Sequence, residues 1–183
     1  ILEKDCTYAP FEIVGLEASE YTVDLPLPDG KVVGLKGTID RIDRVTLPDK
    51  SQYYRILDYK SGKVEITTSM AGLAKDTETY LTKYFSDPKF KAGLQVYLYA
   101  YLFWSNQQRN VPVQAGLYVL REINKGILFL RDGEILSTEF FEAFEVQLQN
   151  LLSELFNYNY PFMQTENDVE KRYEYSPYKG LLV

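Results

Sequence analysis

The stretch that decides the fold runs from Gly37 to Gly62 and reads GTIDRIDRVTLPDKSQYYRILDYKSG. Apolar and β-branched residues alternate on both sides of Leu47-Pro48-Asp49-Lys50-Ser51, which predicts two antiparallel strands joined by a turn. Side chains alternate between the two faces of a strand. The second strand should therefore direct Ile56, Asp58 and Lys60 to one face and Leu57 and Tyr59 to the other.

The pairing of acidic and basic side chains at these strand ends indicates a metal site. Asp58 and Lys60 share one strand face, opposite an aspartate at the end of the neighbouring strand. Such a group can hold a hard divalent cation with a water beside it, and oxygen ligands suit Mg²⁺ or Mn²⁺.

Three ordered motifs resemble the RecB-type, AddB-like branch of the PD-(D/E)XK nuclease superfamily. They are Gly37-Thr38-Ile39-Asp40-Arg41-Ile42-Asp43, Leu57-Asp58-Tyr59-Lys60-Ser61-Gly62, and the Gln-x-x-x-Tyr pattern that begins at Gln95. A lone Asp-x-Lys has almost no specificity, whereas three motifs in this order have much more. The resemblance covers the chain from about Phe11 to Tyr99.

The fold that this resemblance implies is α/β (α+β) and restriction-endonuclease-like, with a central mixed β-sheet flanked by helices. Its core has αβββαβ order, and we expect the first helix to lie before Ile1, outside this chain. Residues 1–183 are then a single domain, excised from a larger protein. A length of 183 residues with 45% hydrophobic composition suits one compact core.

The resemblance also implies roles for individual residues. Asp40, Asp58 and the carbonyl of Tyr59 would bind one or two Mg²⁺ or Mn²⁺ ions. Lys60 would orient or deprotonate the attacking water and stabilise the phosphorus centre in the transition state.

Gln95 and Tyr99 are predicted to lie on one face of a helix, because they are four residues apart. In the resembling family they flank the metal site, and we expect them to position it. Asp43 is expected to support the site indirectly, as a partner of Arg41, Arg44 or Gln95. Glu17 could approach the site, although a solvent-facing strand position is the favoured interpretation.

Composition excludes several other chemistries. The chain has no histidine, which removes histidine bases and ligands, and the single Cys6 excludes an internal disulfide and a cysteine-rich zinc site. No apolar run reaches membrane-spanning length and no signal peptide pattern opens the chain, which predicts a soluble, cytoplasmic protein without a membrane partner.

The charge distribution is uneven. The net charge is −6, yet residues 31–91 contain twelve Lys/Arg against eight Asp/Glu. This basic segment also contains the motifs. Because nucleic-acid binding depends on clustered positive charge, the coincidence favours a DNA-binding surface around the predicted site. A solvated mixed-charge surface is the alternative.

The remaining patterns predict the other elements. A hairpin should join Phe11–Asp24 to Lys31–Val45, and a short helix is expected near Tyr80–Phe85. A longer helix should run from Ser86-Asp87-Pro88 to about Ser105. Strands at 111–120 and 126–130 and a helix at 138–157 complete the prediction.

The C-terminal tail departs from relatives whose cysteine cluster ligates an iron–sulfur centre. Pro177-Tyr178-Lys179 remains, but Tyr173, Ser176 and Leu182 stand at the expected cysteine positions. Because thiolates hold such clusters, we expect no iron–sulfur cluster.

The function that the resemblance implies is metal-dependent DNA hydrolysis beside a helicase domain or subunit in DNA repair or recombination, with exonuclease action favoured over endonuclease action. The first alternative is a catalytically inactive nuclease-fold module that binds DNA or a partner protein. The second is a structural α+β domain in which Asp58 and Lys60 form a simple ion pair.

Overall fold

The computed structural model describes residues 1–62, 64, 76–159 and 161. The chain divides into two compact units, Ile1–Ser153 and Glu154–Val183. The first contains the two sheets and nearly all of the helical residues that the structure describes. In the second, the described part is the end of the last helix and a turn in which the Asn157 side chain accepts a hydrogen bond from the Asn159 backbone.

Within the described residues, the order of elements is a short helix, five strands, two helices, two strands and a further helix. Their bounds are α1 Leu2–Asp5, β1 Glu12–Ala18, β2 Thr22–Pro26, β3 Val32–Lys36, β4 Ile39–Thr46, β5 Gln52–Lys60, α2 Thr77–Ser86, α3 Lys91–Asn106, β6 Val113–Val119, β7 Ile127–Phe129 and α4 Thr138–Leu155. Short 3-10 segments lie at Cys6–Tyr8, Pro88–Phe90, Leu120–Lys125 and Arg131–Gly133, and the segment Leu120–Lys125 is interrupted at Glu122.

The central sheet has five strands in the order β1-β4-β5-β6-β7. β4 pairs antiparallel with both β1 and β5, whereas β5 and β6 run parallel, so the sheet is mixed. The parallel step is possible because α2 and α3 form the crossover between β5 and β6. The predicted mixed sheet flanked by helices is therefore confirmed.

The predicted N-terminal hairpin is right at its turn and wrong in its extent. β2 and β3 pair antiparallel across residues 27–31, but they form a separate two-stranded sheet. Each predicted strand is in fact two strands, because the chain changes sheet after Ala18 and again at Gly37-Thr38. β1 consequently pairs with β4, an arrangement that local periodicity could not reveal.

The first ten residues have more structure than the sequence indicated. They form α1 and the turn Cys6–Tyr8, and Asp5 is buried. The expectation of a further helix before Ile1 stays a prediction.

α4 begins at Thr138 as predicted, whereas α2 begins at Thr77, three residues before the predicted Tyr80, and the predicted start of the longer helix at Pro88 is a 3-10 turn ahead of α3. The Asp76 side chain accepts a hydrogen bond from the Thr79 backbone at the start of α2, and Asp87 caps the turn that precedes α3 in the same way. α3 lies against the sheet with nine buried residues, including Tyr97, Tyr101 and Trp104. None of the described helices is both long and apolar enough to cross a bilayer.

The tail positions that replace the expected cysteines, Tyr173, Ser176 and Leu182, lie outside the described residues. The absence of an iron–sulfur cluster therefore stays a prediction.

Candidate active site

The sequence contains three Asp-x-Lys triplets, at Asp29, Asp58 and Asp87. In each triplet the lysine Nζ lies 2.7 Å from a carboxylate oxygen of its aspartate. Burial separates them: the Asp58 side chain is 2% exposed, whereas those of Asp29 and Asp87 are 47% and 39% exposed. Only the pair on β5 has a desolvated carboxylate, which is the feature that changes its chemistry.

β5 places Asp58 on the face that packs against α3. Its neighbour by alternation, Ile56, belongs to the core beneath that helix, while Leu57 and Tyr59 pack on the opposite side of the sheet. We call these two sides the helix face and the far face. The predicted assignment of β5 side chains to faces is thus what the structure has.

The environment of Asp58 is unfavourable for a negative charge. Burial raises the pKa of the Asp58 carboxyl, the Lys60 ammonium opposes that rise, and the charge of Asp40 adds to it. Lys60 Nζ lies 2.7 Å from Asp58 Oδ2, and apart from this ion pair the buried oxygen accepts no hydrogen bond from the described residues. A buried carboxylate oxygen in this state is suited to a cation.

Asp40, on β4, lies beside Asp58 and Tyr59 of β5. The antiparallel register pairs Arg41 with Leu57, so the next step brings Asp40 opposite Asp58. The backbone N–H of Tyr59 donates a 2.7 Å hydrogen bond to Asp40 Oδ2. The two carboxylates and the Tyr59 peptide therefore converge at one end of the β4–β5 pair.

α3 completes the group through Lys60. Its Nζ donates a 2.7 Å hydrogen bond to Gln95 Oε1, and Gln95 Nε2 donates a 2.7 Å hydrogen bond to the Tyr99 hydroxyl. These contacts form a continuous chain from Asp58 through Lys60 and Gln95 to Tyr99. The structure thus brings all five predicted catalytic residues into one neighbourhood.

Gly37, in the first motif, lies directly against the ring of Tyr99. A Cβ added at Gly37 would lie 2.8 Å from Cε1 of the Tyr99 ring, closer than a side chain tolerates. Glycine is required here by the close approach of the first motif to the third. This packing role was not part of the sequence prediction, and the motif spacing gave no signal for it.

Asp43 lies away from the carboxylates, on the far face. It accepts two hydrogen bonds from Arg41, 2.7 Å from Nε to Oδ1 and 3.1 Å from Nη2 to Oδ2, and Arg55 Nη2 lies 3.1 Å from Oδ2. Of the three partners that the sequence left open, the structure selects Arg41. Arg44 instead pairs with Glu12.

Glu17 is exposed and lies on β1. Its neighbours Leu16 and Ala18 pair with Arg41 and Ile39 of β4, so the position of Glu17 is next to that of Asp40. Its backbone has a φ of 47°, which is uncommon outside glycine. A role for Glu17 at the site stays a prediction.

The oxygen atoms present fit Mg²⁺ or Mn²⁺. The described residues contain no group of three or more His, Cys, Asp or Glu side chains that could hold a metal. Mg²⁺, however, keeps several waters and commonly binds through one or two carboxylates. Asp40, Asp58 and a backbone carbonyl are such a set, and the hydrogen-bond capacity left on Asp58 Oδ2 supports the fit.

A five-stranded mixed sheet that carries buried Asp58 and its lysine at the end of the central strands is the arrangement of restriction-endonuclease-like domains. The chain belongs to the PD-(D/E)XK nuclease superfamily, whose family model matches residues 1–168.

Individual relatives match shorter segments. The chain is 37% identical over 71 residues to an ATP-dependent helicase/deoxyribonuclease subunit of Clostridium novyi (strain NT), a match over 38% of this chain and 6% of that protein. It is 33% identical over 96 residues to the same-named protein of Pediococcus pentosaceus, over 49% of this chain and 8% of the relative. The matches thus span under a tenth of each relative.

Proposed function

We propose that this chain is a metal-dependent DNA nuclease that hydrolyses phosphodiester bonds, as the nuclease module of a DNA repair or recombination helicase–nuclease. The observation that carries the proposal is the buried Asp58 carboxylate, held between Asp40 and Lys60, with Lys60 linked to Gln95. Burial of a charged group without full hydrogen bonding destabilises a fold, so its presence argues for a binding or catalytic role.

Asp40, Asp58 and the Tyr59 carbonyl would hold Mg²⁺ or Mn²⁺. Within a strand the N–H and C=O of one residue face the same edge, so the Tyr59 carbonyl is directed to the side on which its N–H meets Asp40. A metal held there would offset the negative charge of the phosphodiester and acidify water.

Lys60 is the residue that would act on the substrate. An ammonium has three protons, so Lys60 can keep its contacts with Asp58 and Gln95 and still donate one hydrogen bond to a phosphate oxygen. Gln95 restricts the lysine to this position, and Tyr99 restricts Gln95 in turn. Gln95 and Tyr99 therefore act by positioning, and Lys60 by stabilising charge and transferring or orienting a proton.

The test is cleavage of labelled single- and double-stranded DNA with Mg²⁺, with Mn²⁺ and with EDTA. Lys60→Met should lower the rate by about 10²–10⁴-fold, the usual contribution of a positioned proton-transfer group. Lys31→Met is the matched control, because Lys31 belongs to an exposed Asp-x-Lys pair with the same 2.7 Å distance. Wild-type cleavage by Lys60→Met would refute the role.

The net charge of −6 is unfavourable for a DNA substrate and so favours a second function over catalysis, a catalytically inactive module that binds a partner protein or, through its basic segment, DNA. The same experiment separates the two. DNA binding without metal-dependent cleavage, by the chain alone and together with a helicase partner, would support the inactive module.

We also propose, from the family resemblance, that cleavage is exonucleolytic and that the partner is a helicase domain or subunit. Linear end-labelled DNA should be degraded while covalently closed circles persist. Nicking of the circles at the same rate would contradict the exonuclease assignment.

A further inference from the structure

The far face of β4 and β5 carries a closed ring of polar side chains that the proposed chemistry does not use. Arg41 Nη1 donates hydrogen bonds to Asp5 Oδ2 at 2.9 Å and to the Tyr59 hydroxyl at 3.1 Å. The Tyr118 hydroxyl donates to Asp5 Oδ1 at 2.9 Å, and the Tyr59 and Tyr118 rings stack with centroids 5.7 Å apart. We call Asp5, Arg41, Tyr59 and Tyr118 the far-face ring.

The far-face ring meets the candidate active site at Tyr59. The side chain of Tyr59 belongs to the ring, whereas its backbone N–H holds Asp40 on the other side of the strand. The residues before and after it are Asp58 and Lys60. Any rotation of the Tyr59 residue about the strand axis therefore changes the peptide to which Asp40 is bonded.

Charge balance accounts for the carboxylate of Asp5, because Asp43 is shared by two buried arginines, Arg41 and Arg55, but it does not account for the further contact that Asp5 makes with Tyr118. Arg41 already has a bidentate partner in Asp43, which is the strong arrangement for a buried guanidinium. Asp5 adds a second carboxylate from α1, at a cost in desolvation, and joins Arg41 to Tyr118 across three elements of the fold. Through these two contacts Asp5 fixes the orientation of Arg41 and Tyr118, both of which contact the Tyr59 side chain.

We propose that the far-face ring is a positioning device for the metal site, in which Asp5 and Arg41 fix Tyr59 so that its peptide orients Asp40. The metal part of this inference rests on the proposed function. Asp5, Arg41 and Tyr118 are positioning residues, since they lie on the opposite side of the sheet from the reacting groups.

Tyr59→Phe is the sharpest perturbation, because it removes the hydroxyl and keeps the stacked ring and the backbone. Tyr8→Phe is the matched control: Tyr8 lies on the same face, and its hydroxyl accepts a hydrogen bond from the Ile127 backbone at 2.8 Å. Asp5→Asn is a second variant that weakens the ring from its other end.

The first readout needs no metal. Amide hydrogen exchange at residue 59 reports the N–H that holds Asp40. After correction for global stability, Tyr59→Phe and Asp5→Asn should each speed this exchange about fivefold, the effect of one net hydrogen bond. Tyr8→Phe should leave it unchanged. Equal exchange at residue 59 in all three variants and the wild type would overturn the proposal.

The second readout is calorimetric titration with Mn²⁺. The two ring variants should bind Mn²⁺ about three- to tenfold more weakly than wild type, whereas Tyr8→Phe should match it. Unchanged affinity in both ring variants would refute positioning of the metal ligands. A wild type that binds no Mn²⁺ would instead refute the proposed metal site, and amide exchange would still decide whether the ring orients Asp40.

Discussion

Removing the two partners of the Asp58–Lys60 pair one at a time should change stability in opposite directions. We expect Asp58→Asn to stabilise the metal-free protein by about 1 kcal/mol and Lys60→Met to destabilise it by about 2–3 kcal/mol. An ordinary ion pair would lose stability from either change.

The asymmetry follows from burial. Lys60 is 25% exposed and donates to Gln95, so without Asp58 it keeps a partner and access to water. Asp58 is 2% exposed, so without Lys60 its carboxylate is left buried and uncompensated. Loss of one partner of a fully buried pair typically costs about 3–5 kcal/mol, and we take a lower figure because the carboxyl can protonate.

The assay is thermal and urea unfolding in EDTA at neutral pH. In a protein of this size 1 kcal/mol shifts Tm by roughly 2–4 °C, so the two variants should differ by about 6–16 °C. Asp29→Asn and Lys31→Met, in an exposed pair of the same geometry, should each stay within about 0.5 kcal/mol of wild type.

The pH dependence gives an independent check of the sign. The folded-state pKa of Asp58 is raised above its ordinary value of 3.8, so ionisation of this group favours the unfolded chain. Its stabilising contribution is therefore complete below 3.8 and is lost as pH rises through the raised pKa. The stability advantage of Asp58→Asn should appear over that window and vanish at its acidic end. A loss of stability in Asp58→Asn comparable to that in Lys60→Met would refute the burial argument.

Three further outcomes are expected. Mn²⁺ at 100 times its Kd should raise the unfolding free energy of wild type by about 2.7 kcal/mol and leave Asp58→Asn unchanged, as measured by thermal unfolding. Gly37→Ala should displace the Tyr99 ring, costing about 1–3 kcal/mol in urea unfolding and slowing DNA cleavage, whereas Gly62→Ala, where an added Cβ meets nothing within 4 Å, should do neither. Asp43→Ala should lose about 3–5 kcal/mol of stability, because it leaves two arginines buried on the far face without their shared carboxylate.

The motif strands were predictable because their signal is local. Alternation fixed the faces of β5, and a spacing of four residues placed Gln95 and Tyr99 on one side of a helix. The parts that failed depend on long-range pairing. Nothing in residues 11–45 shows that β1 pairs with β4 while β2 and β3 form their own sheet, since both arrangements satisfy the same alternation.

The far-face ring could not be predicted from the sequence, because it also depends on long-range contacts. Asp5 and Tyr118 are 113 residues apart, and although Tyr118 lies in a predicted strand, no pattern links it to Asp5. Even Arg41, inside the first motif, carries no sign in the sequence of whether its guanidinium faces solvent, DNA or a buried carboxylate. Only the three-dimensional arrangement, in which Asp5 of α1 reaches Arg41 on the far face, settles that question.

The three Asp-x-Lys triplets show what distinguishes a candidate active site from a surface ion pair. Sequence spacing and Asp–Lys distance are the same in all three, so neither carries the distinction. What differs is the surroundings: at Asp58 the strand is central in the sheet, α3 covers it, and Asp40 adds a like charge. Each of these raises the free energy of the ionised carboxylate in the metal-free protein, and the positive charge of a bound divalent cation would offset that cost. On the proposed function, the high free energy of the ionised carboxylate without metal and its affinity for a cation would thus be two consequences of one arrangement.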